Sequence, residues 1–181
     1  MGGDEVDNKI KDLVWAGLFL AFGILIPYIF HVTGLSGQVF LPMHIPVLLC
    51  GLVLGWKYGV FVGMLSPIIN SAILGMPPMF PVGICMMFEL ATYGLVTGIL
   101  YKTNKCNIFI SIISAMFLGR LVSGIMNYIF LTLGGNGFVL GAFITGTFVK
   151  GVWGILIQLI LIPVIVKALE HVEKGQLSLD E

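Results

Sequence analysis

Between Leu13 and Val166 the chain carries only six formally charged residues: Lys57, Glu89, Lys102, Lys105, Arg120 and Lys150. A backbone in hydrocarbon has no water to bond, and a helix is the segment that satisfies its own N–H and C=O groups. A crossing takes about 20 apolar residues. The runs 13–33, 45–56, 58–75, 77–101, 107–133 and 138–166 therefore predict an all-α integral membrane protein with six transmembrane helices, the second of them short. Composition agrees, with 58% hydrophobic residues, 10% charged and a mean hydropathy of +1.06, far from the balance of a soluble domain.

The lysines set the orientation. Lys9 and Lys11 precede the first run, Lys57 separates the second from the third, Lys102 and Lys105 separate the fourth from the fifth, and Lys167 and Lys174 follow the sixth. In an alternating topology all of these fall on one side. The opposite links, 34–44, 75–78 and 134–137, hold no Lys or Arg. The positive-inside rule then predicts both termini in the cytosol. Residues 1–12 read as a retained cytosolic tail, because acidic residues crowd the start and no small-x-small cleavage site follows the apolar run. Residues 13–171 form one membrane domain and 172–181 a second cytosolic tail.

A formal net charge of zero argues for no nucleic-acid partner. Cys50, Cys85 and Cys106 are odd in number and lack metal-ligand spacing, so neither a disulfide framework, a metal nor a cofactor is expected. The chain has no P-loop, no G-x-S-x-G, no H-E-x-x-H and no run of paired aspartates. The parts of an enzyme are missing.

Gly51, Gly55, Gly59 and Gly63 recur at four-residue steps, which in a helix gives one face along which another backbone can approach closely. That face reads either as a contact surface for a partner or as internal packing of the first three helices.

Three ionisable groups sit inside runs. Each costs roughly 2.5–3.5 kcal/mol at a helix centre, so each asks for a reason. Counted from the outer ends of their helices at about 1.5 Å per residue, Glu89, Arg120 and Lys150 share one depth. One carboxylate and two cations make a layer with surplus positive charge, suited to an anionic ligand, or alternatively an ion pair that binds helices together. Ser123 and Asn127 continue the face of Arg120 as a polar stripe. Trp153 and Tyr93 either wall a pocket or fill the core. Gln38 and His44 lie on the outer link, where a loop can fold over a pocket; His44, between Pro42 and Pro46, is otherwise a helix cap. His31 reads as interfacial, and the Asn70 amide as a partner for carbonyls near Pro67.

The passages LPMHIPVLLCGLVLGWKYGVFVG, GMPP and FELATYG, together with size, six spans and a short second helix, resemble the substrate-binding S components of energy-coupling factor (ECF) vitamin transporters. The resemblance runs from Leu13 to about His171. It implies a subunit in the plasma membrane of a prokaryote that captures a small water-soluble vitamin and docks on a transmembrane scaffold subunit. Two cytosolic ATPases would supply the energy. It implies substrate contacts on the outer link and helices four to six, hence Gln38, His44, Glu89, Arg120, Asn127, Lys150 and Trp153. It also implies docking through a small-x-x-x-small pair on the first helix, here Gly17 and Ala21. The surplus cation layer makes pantothenate the first expectation among the vitamins. A self-sufficient carrier or channel, using the Glu89, Arg120 and Lys150 layer to couple protons or ions, is the alternative.

Overall fold

The computed structural model describes residues 3–34, 37–134 and 139–177, with side chains at all of these except 3–5, 8, 38, 142, 148 and 172–177. The described residues contain helices and no strand: α1 (Gly3–Val32), α2 (Gly37–Phe40), α3 (His44–Leu54), α4 (Trp56–Leu74), α5 (Ile84–Thr97), α6 (Ile108–Leu133), α7 (Leu140–Ile144) and α8 (Val152–Leu177). The chain is an all-α membrane protein. Five stretches are long and apolar enough to cross a bilayer: 9–32, 56–74, 79–103, 108–133 and 152–171. α3, at 11 residues, is shorter.

α3 forms the centre. Val47, Leu48, Cys50 and Leu52 are almost wholly buried, because α1, α4, α5 and α8 all pack around this one short helix. Gly55 ends it at φ +97°, a conformation L side chains rarely adopt, and so lets the chain reverse at once into α4. The glycine steps then explain themselves. A Cβ at Gly59 would lie 2.7 Å from the Gly94 carbonyl oxygen and 2.9 Å from the Gly51 Cα, and one at Gly63 would lie 2.5 Å from the Leu90 carbonyl oxygen. Gly51, Gly55, Gly59 and Gly63 are all buried. They are therefore a seam inside the bundle, where α3, α4 and α5 meet backbone to backbone, and the reading of this face as a docking surface is corrected. Gly17 and Ala21, by contrast, are exposed on α1, and a Cβ at Gly17 would meet nothing within 4 Å.

Two further differences concern helix ends. α1 starts at Gly3, so most of the expected N-terminal tail is helical. The expected single helix over 138–166 is broken: α7 passes into a wide turn at Thr145–Val149, where the Lys150 N–H donates to the Thr145 carbonyl at 3.0 Å, and α8 starts only at Val152. Phe138 lies outside the described residues. α8 is anchored to the link before α3, since Gly154 lies tight against Phe40 and the buried Gln158 amide donates to the Leu41 carbonyl at 3.4 Å.

The two ends of the bundle differ chemically. At one end the α3–α4 turn, the α5–α6 link with Lys102 and Lys105, and α8 meet: a Cβ at Gly55 would touch the Lys102 stem at 3.7 Å, and the Tyr101 hydroxyl donates to Glu170 at 2.7 Å. The described parts of two lysine-free links, 37–44 and 75–78, gather at the other.

Candidate functional site

At the lysine-free end a cavity of about 640 Å³ opens between the last turn of α1, the link leading into α3, the end of α4, the first half of α5, the middle of α6 and the α7 segment. Its upper walls are apolar, with Pro27, Phe30, Leu41, Met43, Leu74, Val82, Met86 and Phe143. Its floor is polar.

The floor is built by helical spacing. On α5, Cys85, Met86 and Glu89 fall at i, i+1 and i+4, one face directed to the cavity, with Tyr93 one turn further in. On α6, Arg120, Ser123 and Asn127 fall at i, i+3 and i+7 on the facing side. Glu89 Oε1 accepts from Arg120 Nη1 at 3.0 Å and from the Tyr93 hydroxyl at 2.9 Å, and His44 Nε2 stands 3.6 Å from the same oxygen. The His44 and Tyr93 rings lie 5.3 Å apart, tilted by 54°. Glu89, Arg120, His44 and Tyr93 are all buried.

Tyr93 is held from behind by an absence of side chain. A Cβ at Gly119 would fall inside the Tyr93 ring, so α6 can come close enough for Arg120 to reach Glu89 only because residue 119 is glycine. Across this interface the ion pair gains on the order of 5 kcal/mol at an effective dielectric of 20. Taking each ion out of water costs several kcal/mol. The pair nearly breaks even, and its worth lies in fixing where the two charges point.

The cluster is not saturated. Among the described residues, His44 Nδ1 and Nε2 and Arg120 Nε are buried without a hydrogen-bond partner. The Asn127 amide donates to the Ser123 carbonyl at 2.8 Å, which leaves its oxygen at the cavity edge, while the buried Ser123 hydroxyl faces Glu89. Asn70 lies elsewhere, donating to the Gly23 and Ser66 carbonyls at 2.9 and 2.7 Å and so tying α4 to α1.

Of the residues singled out from the sequence, His44, Glu89, Arg120 and Asn127 line one cavity. Lys150 and Trp153 do not. Both are exposed and neither lines it, Trp153 with 63% of its surface free. Lys150 follows the wide turn at 145–149, where the regular helical spacing that the sequence count assumes is interrupted. Gln38 sits on α2, and its side chain lies outside the described residues. His31, read as interfacial, is exposed at the cavity mouth. Tyr93 was legible as an aromatic four residues beyond Glu89, but only the glycine at 119 marks it as the clamp.

A family model for the ECF transporter, substrate-specific component, matches residues 11–166. The chain belongs to that family. The match runs from α1 into α8 and takes in every element that builds the cavity. No curated protein and no solved structure matches the chain. As an S component it is the substrate-binding, transport-specificity subunit of an ECF transporter and not an enzyme, a multi-pass membrane protein that partners with ECF scaffold and ATPase subunits.

Proposed function

We propose that this S component binds a small water-soluble vitamin or vitamin precursor in the cavity floored by Glu89, Arg120, His44, Ser123 and Asn127, and delivers it by docking on the scaffold subunit energised by two ATPases. The observation that carries this is the buried, incompletely hydrogen-bonded polar cluster at the base of an otherwise apolar cavity large enough for such a molecule.

Orientation supports the direction of uptake. The lysine-bearing links are at the end opposite the cavity, so the positive-inside rule turns the cavity outward and puts both termini of a six-span chain in the cytosol of a prokaryotic cell. Docking is proposed for the α1 face at Gly17 and Ala21, which is small, exposed and open to close approach by another helix.

The vitamin is narrowed by what the floor lacks. Pantothenate was expected from a surplus cation that only Lys150 could supply. With Lys150 exposed outside the cavity, that ground for preferring a carboxylate is gone.

Uptake in cells tests the reading. Transport that requires the scaffold and ATPase subunits, with binding by this chain alone, supports it; pH-dependent uptake by the chain without them overturns it in favour of a self-sufficient carrier.

A further inference from the structure

The charge balance of the cavity identifies the class of substrate. Among the described residues its ionisable lining consists of one carboxylate, Glu89, one guanidinium, Arg120, the imidazoles of His31 and His44 and the free thiol of Cys85, which is neutral as a thiol. Counting imidazoles as neutral, the sum is zero. Between the first and last helices, the positions whose side chains are not described, Leu35, Ser36, Gln38, Gly135 to Phe138, Ala142 and Phe148, carry no charge. Nor does Lys150, which is exposed and lines no part of the cavity.

Resting on the vitamin-binding reading, we infer that the substrate has no net charge, with an apolar body and one polar edge that both donates and accepts hydrogen bonds. An anion entering this site loses its water and meets Arg120 already paired at 3.0 Å with Glu89, so attraction by one is offset by repulsion from the other. Glu89 does not swing aside to free the guanidinium, because the Tyr93 hydroxyl holds the same oxygen at 2.9 Å and Tyr93 itself is locked against Gly119. A cation meets the mirror-image problem at Arg120. An uncharged edge meets neither: a ligand donor finds the Glu89 carboxylate and the Asn127 oxygen, and a ligand acceptor finds Arg120 and His44. Hydrogen bonds to charged groups are about twice as strong as neutral ones, so such an edge is held well without carrying charge itself. Above it, Met43, Met86, Phe30 and Phe143 offer polarisable, adaptable walls to an apolar body.

The test is equilibrium binding of the full chain in lipid nanodiscs. Uncharged probes are pyridoxine, riboflavin and 4-amino-5-hydroxymethyl-2-methylpyrimidine; carboxylated probes are pantothenate, biotin and nicotinate; thiamine is the cation. An uncharged probe is expected to bind at least about tenfold tighter than every charged one. Glu89→Gln, which leaves Arg120 uncompensated, is expected to shift the ratio of carboxylated to uncharged affinity by at least about tenfold toward the carboxylates. If that variant does not fold, the wild-type comparison decides. Tightest binding of a carboxylated probe or of thiamine overturns the inference while leaving vitamin binding intact. Binding of no probe overturns vitamin binding itself, and the inference with it.

Discussion

Glu89 on α5 and Arg120 on α6 meet at 3.0 Å inside the bundle, both buried, with the Tyr93 hydroxyl on the same carboxylate oxygen. This pair is at once the contact that sets the α5–α6 register and the floor of the cavity, so its removal has two separable effects. Glu89→Ala or Arg120→Ala alone strands a buried charge and is expected to cost about 3–5 kcal/mol. The double variant Glu89→Leu, Arg120→Met is expected to recover most of that stability and none of the binding. Denaturant unfolding and ligand titration on the same preparations measure both; additive losses in the double variant would show that the two residues are not coupled.

Gly119 makes the pair possible. Gly119→Ala is expected to cost about 1–3 kcal/mol by driving a methyl group into the Tyr93 ring, and much of the loss should vanish in a Tyr93→Ala background, where the ring is gone. A double-mutant cycle in unfolding free energy reads the coupling. A coupling near zero would place the ring elsewhere.

Lys150 and Asn127 give opposite expectations although both were singled out from the sequence. Lys150→Ala is expected to leave substrate affinity within about twofold, because the side chain is exposed and off the cavity. Asn127→Ala removes a polar partner at the cavity edge and is expected to weaken binding by up to about tenfold, the worth of one hydrogen bond. Titration of the two variants side by side decides; a large loss in Lys150→Ala alone would restore the surplus cation.

The two glycine faces are likewise expected to part. Gly17→Leu, on the open face of α1, should abolish co-purification with the scaffold subunit and leave the melting temperature unchanged. Gly59→Leu collides with the Gly94 backbone and should lower the melting temperature or prevent folding. Retained association of Gly17→Leu would remove the α1 face from docking.

Apolar run length was enough to read an all-α membrane protein, because hydrocarbon leaves a chain few alternatives. The floor was legible in part, since Glu89 and Arg120 are costly wherever they lie in a span and so announce a partner. Lys150 misled because a wide turn at 145–149 interrupts the helix, and nothing in an apolar, threonine-bearing run marks where the rise changes. The glycine seam showed that a close contact exists but not with what; only the positions of Gly94 and Leu90 opposite it answer that. Phe143, Met43 and Met86 could not be found at all, since an apolar residue facing a cavity and one facing lipid look alike in sequence.

Mass spectrometry of small molecules released from gently purified protein tests the binding cavity most directly, with wild type compared against Val82→Trp. Val82 lines the cavity and is 43% exposed, so the larger ring fills ligand space without entering the core. Wild type is expected to release one vitamin-sized molecule in stoichiometric amount, and Val82→Trp, equally folded, none. Equal release from both proteins, or an empty wild type that no vitamin stabilises against heat, would contradict binding at this site.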